Sequence, residues 1–297
     1  MPNKKMLFVY NPHAGKAKIR TQLSDILDVF ALGEYEITIA PTQKQADAID
    51  IVRLRAADYD VVVCSGGDGT LDETVTGMMK SGTRTTIGYI PAGSTNDFGS
   101  SLALPKDMIR AAKIIVDGKK FAIDVGQFND NVFVYIAAFG LFTEVTYSTD
   151  QQIKNLIGHS AYIFEGAKSL LKVHSHKMRV SWDDQVAEGE FIYGMITNST
   201  SVGGFKGITG KEVLLDDGEF EVTLIKVPRN VVELNMILIA LINRNIVTEL
   251  MYSFRASRIV FESEEEVAWT LDGEAGGAHK MVEINNLPKA IDICVAE

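Results

Sequence analysis

The residues VVVCSGGDGTLDETV concentrate the sequence's most distinctive chemistry. A β-branched apolar run leads into Gly66-Gly67-Asp68-Gly69-Thr70, and a helical pattern follows from Leu71. Glycines at such a bend permit positive φ and let a bulky anion reach the main chain. The helix N-terminus then offers free N–H groups and a partial positive charge. Asp68 would be repelled by phosphate unless a cation lay between them, so a carboxylate inside an anion cradle points to Mg2+, held directly or through water. A plainer reading stays open, in which this is a tight strand-to-helix turn and Asp68 only caps the helix. The segment is not a P-loop, because the GK[ST] ending is absent. It is not a dinucleotide fingerprint either, because GxGxxG is not formed.

Two further turns look similar. Asn11-Pro12-His13-Ala14-Gly15-Lys16 follows one apolar run, and Pro91-Ala92-Gly93-Ser94-Thr95-Asn96-Asp97-Phe98 follows another. Thr42 stands just past a third run, YEITIAPT. If these runs are parallel strands, all the turns emerge at their carboxyl ends, where open α/β sheets bind ligands. Three polar, glycine-containing turns on one edge point to a nucleotide.

The elements that must carry these turns alternate. KMLFVYNP, YEITIAPT, DVVVCSGG and TTIGYIPAG read as strands. Helical spacing is predicted over Lys16–Ala31, Gln43–Ala57, Leu71–Met79 and Asp107–Val116. That alternation makes a parallel sheet with helices on its faces. Near Phe121 the pattern changes. FAIDVGQFNDNVFVYIAAFG reads as two strands around Asn129-Asp130-Asn131, a hairpin signal. KMRVSWDD, GEFIYGMITNS, GEFEVTLIKV, SRIVFESEE, VAWTLDG and KMVEINN then suit antiparallel strands, several with one wet face. Helix-like stretches are expected over Thr149–Val173 and Arg229–Arg244. The expected fold class is an α/β N-terminal domain with a parallel sheet, followed by a mostly antiparallel β-sandwich domain. The boundary falls near Asp124, giving 1–124 and 125–287, with the tail 288–297 returning to the first domain.

Composition narrows the function classes. The 297 residues carry 29 Lys and Arg against 39 Asp and Glu, a formal net charge of −10, which disfavours nucleic acid as a partner. Cys64 and Cys294 are the only cysteines, both in apolar strand-like runs, and read as small buried hydrophobes in a reducing compartment. His13, His159 and His279 lack ligand spacing, so no zinc site is expected. No secretory signal is visible, and the longest apolar stretch, Val231–Ile242, falls far short of the ~20 residues that span a bilayer. A cytoplasmic protein with transient peripheral membrane contact is expected. The locally basic stretch Lys168–Arg179 suits an anionic surface, although its cations would equally suit a solvated helix end.

The pattern NPxAGK … GGDGT … PxGSTNDF resembles the soluble bacterial diacylglycerol kinase-like lipid kinases. Their catalytic domain is shared with sphingosine kinases and, more distantly, with NAD kinases. The resemblance runs over nearly the whole chain, through NSTSVGGF, LDDGEFEV and LDGE. It implies ATP between an α/β domain and a β-sandwich-like domain, with nucleotide contacts on Asn11, Pro12, His13, Ala14, Gly15, Thr42, Gly66, Gly67, Asp68, Gly69, Thr70, Leu71, Asp72 and Thr95. Asn96 and Asp97 would shape the same edge. The resemblance makes Glu274, in WTLDGEAGG, the base that accepts the lipid hydroxyl's proton, with Asp68 as the other catalytic residue. It further implies a structural Mg2+ on the Asp217 carboxylate and the main-chain oxygens of Leu214 and Glu219, with Asp216 an alternative ligand. A plain hairpin turn remains the alternative for that segment, and an exposed turn carboxylate for Glu274. The family commonly has GGDGTxNE, whereas Asp72 stands here where Asn is usual. The acceptor implied is a lipid at the membrane surface, diacylglycerol first. Another lipid, NAD, or a nucleotide-binding regulator without turnover are the alternatives, and a homodimer is allowed. Phe205 is a candidate for the acceptor pocket or a core anchor.

Overall fold

In the computed structural model the described residues are 4–140, 174–206, 213–230, 232–234, 236, 237, 240 and 249–297. They divide into two compact units. The first comprises the described residues of Met1–Val125 with Leu215–Asp217 and Leu287–Glu297. The second comprises those of Gly126–Leu214 and Gly218–Asn286.

The first unit alternates β1 (Lys4–Tyr10), α1 (Ile19–Leu32), β2 (Tyr35–Pro41), α2 (Asp47–Arg55), β3 (Val61–Gly66), α3 (Asp68–Ser81), β4 (Thr86–Pro91), α4 (Asp97–Ser101) and α5 (Met108–Asp117), ending in β5 (Lys119–Phe128). Its sheet is parallel, in the order β2-β1-β3-β4. Every residue of β3 and β4 is buried, as continuous apolar strands covered on both faces should be. Met6, Phe8, Val61, Val63 and Ile90 of the sheet pack with Ile26 and Phe30 of α1 and Ala111, Ala112 and Ile115 of α5. Asp107 caps α5 by accepting the Arg110 N–H at 2.8 Å.

The predicted helices shift at their starts. The first begins at Ile19 rather than Lys16, and the second at Asp47, running into a short 3-10 turn over Ala56–Asp58. The third begins three residues early, at Asp68, so the glycine bend supplies its first turn. The five-residue α4 has no apolar period to announce it.

The second unit is antiparallel. It adds β6 (Asn131–Phe133), β7 (Ile136–Gly140), β8 (His176–Trp182), β9 (Gln185–Thr197), the small pair β10 (Ser201–Val202) and β11 (Phe205–Lys206), β12 (Phe220–Lys226), β13 (Met251–Ala256), β14 (Arg258–Leu271) and β15 (Glu274–Val295). The main path runs β13-β12-β9-β7-β14-β15, and β8 pairs with both β9 and β14. One sheet face buries an aromatic cluster around Trp269, whose ring lies 4.8–5.1 Å from those of Phe128, Phe139 and Phe261. Two-residue turns close the β5–β6 and β8–β9 hairpins, with Asn129 and Asp183 at positive φ.

SRIVFESEE and VAWTLDG form one strand, β14, with a register shift between Glu262 and Val267. β13, MYSFRA, is an added edge strand that the sequence reading did not pick out. KMVEINN belongs to β15, whose last residues lie in the first unit, where Ile293 pairs with Ile87 of β4 in parallel. Of the expected helix over Arg229–Arg244, residues 232–234, 236, 237 and 240 are helical and Arg229 and Asn230 are not; its remaining positions and the stretch Thr149–Val173 lie outside the described residues.

The described end of the basic stretch leads into strand β8, and the two cations there are paired. Lys177 Nζ lies 3.1 Å from Glu264, and Arg179 3.0 Å from Glu262 and 3.3 Å from Glu188; before the strand, the His174 ring lies 3.7 Å from Glu265. Lys168 and Lys172 lie outside the described residues. Among the described residues no helix is long and apolar enough to cross a membrane.

Candidate active site

The three glycine turns of the first unit meet at the carboxyl edge of its parallel sheet. Main-chain bonds extend the strand ladder into them: Asn11 N–H to Ser65 O at 2.9 Å, Thr42 N–H to Tyr10 O at 2.9 Å and Ala92 N–H to Gly66 O at 2.8 Å. The turns then touch backbone to backbone. A Cβ on Gly93 would lie 2.6 Å from Gly67 Cα, and one on Gly15 would run into the carbonyl oxygen of Ala92. Side chains at these points would force the turns apart.

The Asn11–Gly15 turn is held by its own residues. Asn11 Oδ1 accepts the His13 N–H at 2.9 Å, an Asx turn, and the Pro12 carbonyl accepts Arg20 Nε at 3.0 Å. His13 is exposed, whereas Ala14 is buried. In the turn after β4, Asn96 at φ +56° accepts the Gly93 N–H at 2.9 Å and donates to the Gly93 carbonyl at 2.8 Å. Thr95 stands half-buried in the same turn. Asn96 therefore shapes this edge by fixing Gly93, not by facing outward.

Gly67 is the N-cap of α3 and brings no side-chain oxygen to the first-turn amides. The amides of Thr70 and Leu71 turn back to the Gly67 carbonyl, both at 3.1 Å. An uncapped helix start beside two other main-chain turns suits an anion. Asp72 is half-buried one turn into α3. Glu73, beside it, accepts the amides of Ala46 and Ala48 at 2.8 and 3.2 Å, and so caps α2, whose own N-cap is an alanine. The sequence reading passed over Glu73, because nothing local links it to residues 27 and 25 positions away.

Asp68 does not cap its own helix. Its carboxylate accepts the N–H groups of Asp97 at 3.2 Å and Phe98 at 3.3 Å, the start of α4. Burial first, and then the neighbouring Asp97 charge, push the Asp68 carboxyl up, against the pull of these hydrogen bonds. Two adjacent carboxylates in a partly dry turn fit a divalent cation, which would relieve their repulsion. The uncapped helix start and the glycine contacts likewise fit the phosphates of a nucleotide.

In Leu214–Glu219, Asp217 belongs to the first unit and Leu214 and Glu219 to the second. The Leu215 carbonyl accepts the N–H of buried Asp124 at 2.8 Å, Asp124 Oδ1 accepts the Lys289 N–H at 2.7 Å, and Lys289 Nζ lies 3.9 Å from Asp216. These contacts tie the segment and the tail to β5. Asp216 thus faces a lysine, and the Glu219 carboxylate faces Arg255 at 3.4 Å. Among the described residues no group of three or more His, Cys, Asp or Glu side chains is arranged to hold a metal. The expected donor set is one carboxylate with main-chain oxygens, and such hard oxygens suit Mg2+.

In the second unit, Glu274 opens β15, exposed, directly after a two-residue turn. Leu271 pairs with Glu274, and Asp272 and Gly273 between them have φ of +51° and +87°, the signs of a type I′ hairpin. Asp272 is buried. Its residue type and spacing assign it no role beyond its place in LDGE.

The diacylglycerol kinase catalytic domain matches residues 5–128, and the YegS C-terminal NAD kinase β-sandwich-like domain matches residues 136–295. A diacylglycerol kinase of Staphylococcus haemolyticus is 32% identical over 96% of this chain and 86% of its own length. The chain belongs to the diacylglycerol kinase family of lipid kinases. A diacylglycerol kinase of Bacillus subtilis is 30% identical over 92% of this chain and 91% of its own. Among solved structures, a Bacillus anthracis protein assigned as a diacylglycerol kinase superposes with a TM-score of 0.83 at 26% identity, covering 99% of this chain and 98% of that one. The two-domain fold expected from the sequence, α/β and then antiparallel β, is the family's.

Proposed function

We propose that this chain transfers the γ-phosphoryl group of ATP to a lipid hydroxyl, with diacylglycerol as acceptor and phosphatidic acid as product. The observation that carries the reading is the meeting of three glycine turns around the uncapped start of α3. The names of the relatives supply the acceptor class. Phosphoryl transfer asks a protein mainly for positioning and charge stabilisation. Main-chain amides at Gly67–Gly69 hold the phosphate oxygens. Mg2+, when bound, neutralises charge on the transferring group, and Asp68 is the carboxylate that would hold it. Glu274 takes the proton of the lipid hydroxyl as its oxygen attacks phosphorus, and ADP leaves. Asp217, with the main-chain oxygens of Leu214 and Glu219, would hold the second, structural Mg2+. The chain reaches its acceptor from the cytoplasmic side by peripheral contact with the bilayer.

The test is radiolabelled ATP and Mg2+ with diacylglycerol, a sphingoid base and NAD as separate acceptors. Labelled phosphatidic acid supports the proposal. Label only on another acceptor redirects it, and tight ATP binding without turnover on any acceptor replaces it with a regulatory role. Glu274→Gln is expected to keep ATP affinity and to lose ~10²-fold or more in turnover.

A further inference from the structure

The carboxylate of Asp272 carries a load that a turn residue does not need. Oδ2 accepts the Val134 N–H at 2.5 Å, and Oδ1 accepts those of Tyr135 at 3.0 Å and Ile136 at 2.9 Å. The main chain of Asp272 is held as well: its N–H donates to the Ile136 carbonyl at 2.9 Å, and its carbonyl accepts the Tyr135 hydroxyl at 3.3 Å. Three successive amides at the entry to β7 thus converge on one side chain, and two more bonds fix its backbone.

An Asp-Gly hairpin needs only positive φ at its two central residues. The side chain of the first residue is normally free to face water. Here it is buried, and a buried carboxylate is costly unless its lone pairs are filled. These N–H groups fill them. The result is a rigid strut between β7 and the β14–β15 turn, and Glu274 stands one residue beyond it. An exposed glutamate on a free hairpin tip would sample many positions, whereas a general base must stay within hydrogen-bond reach of the proton that it takes.

We infer that Asp272 is a positioning residue for Glu274, holding the turn in the one orientation that presents that carboxylate to the acceptor hydroxyl. The inference rests on the reading of Glu274 as the base. Asp272→Asn keeps the size but turns an NH2 group toward one of the three N–H donors, so the strut loosens without a cavity forming.

The experiment is a double-mutant cycle on this 297-residue chain with ATP and diacylglycerol in mixed micelles, with folding checked by circular dichroism. Asp272→Asn is expected to lower kcat ~10- to 100-fold and to leave the KM for ATP within about threefold, since the nucleotide turns belong to the other unit. In the Glu274→Gln background the same substitution is expected to cost less than about twofold, because a residue acting through Glu274 has nothing left to position. A merely structural role predicts that the two losses multiply. Multiplied losses, or a near-normal kcat for Asp272→Asn beside an inactive Glu274→Gln, would overturn the inference and leave the base assignment standing. A near-normal Glu274→Gln would overturn both. If Asp272→Asn does not fold, Tyr135→Phe, which removes the hydroxyl bond to the Asp272 carbonyl, replaces it. It must lower kcat measurably and show the same non-additivity; a multiplied loss or none overturns the inference.

Discussion

Gly67 and Gly93 sit so close that a Cβ on the second would lie 2.6 Å from the Cα of the first, while a Cβ on Gly67 would stand 3.4 Å from Gly93. The asymmetry separates folding from binding. Gly93→Ala forces two main chains apart and is expected to cost ~1–3 kcal/mol, the usual range for overpacking, visible as a lower Tm. Gly67→Ala, at φ −83°, is sterically allowed and is expected to keep Tm nearly unchanged. Its methyl group fills the cradle, so ATP affinity should fall at least tenfold by calorimetry. Unchanged affinity for that variant would remove the phosphates from this bend.

Asp68 is pushed up by burial and by Asp97 while it holds the start of α4. Asp68→Asn removes the repulsion but keeps an acceptor oxygen for only one of the two α4 amides and turns its NH2 group toward the other. The variant is expected to stay folded, with a Tm close to or slightly below the parent's at pH 7, and to lose most turnover, together with Mg2+-dependent ATP binding. Retained turnover with normal Mg2+ dependence would reduce Asp68 to a helix cap.

Glu221 of β12 is buried, and among the described residues no other residue donates a hydrogen bond to its carboxylate; Arg255 Nε stands 3.6 Å away. Burial, with the Glu219 charge adding to it, raises this carboxyl from 4.5 to about 7. The folded chain therefore keeps a proton that the unfolded chain has released, and stability should fall as pH rises from about 4.5 through about 7. Glu221→Gln removes that slope. Its Tm advantage over the parent should be larger at pH 8 than at pH 5, and an advantage independent of pH would refute the account.

Glu73 caps α2 from α3 through the amides of Ala46 and Ala48. Glu73→Ala is expected to cost ~0.5–2 kcal/mol, as lost helix caps do, measured by urea unfolding. Because the carboxylate is spent on these amides, ATP affinity should change less than threefold.

The strands were legible because their residue types declare them. VVVCSG and TIGYIP are continuous and apolar, and they lie buried on both faces in a parallel sheet. The glycine bends were legible for a similar reason, since such spacing has few other uses. Edge strand β13 was missed: MYSFRA alternates only weakly, and pairing with β12 rather than its own pattern makes it a strand. The basic stretch was readable as composition alone. The glutamates that pair with Lys177 and Arg179 come largely from β14, more than 80 residues later.

By itself the sequence determined the family, the order of the elements and the edge on which the glycines gather, because local spacing and residue type set backbone conformation. Only the tertiary structure decided what the carboxylates do. Asp68 reaches 29 residues forward to α4, Glu73 reaches 27 back to α2, and Asp272 reaches 136–138 back to β7. A carboxylate is an acceptor with no preferred partner in the chain. Which amides fill it depends on the strands and turns that packing brings beside it.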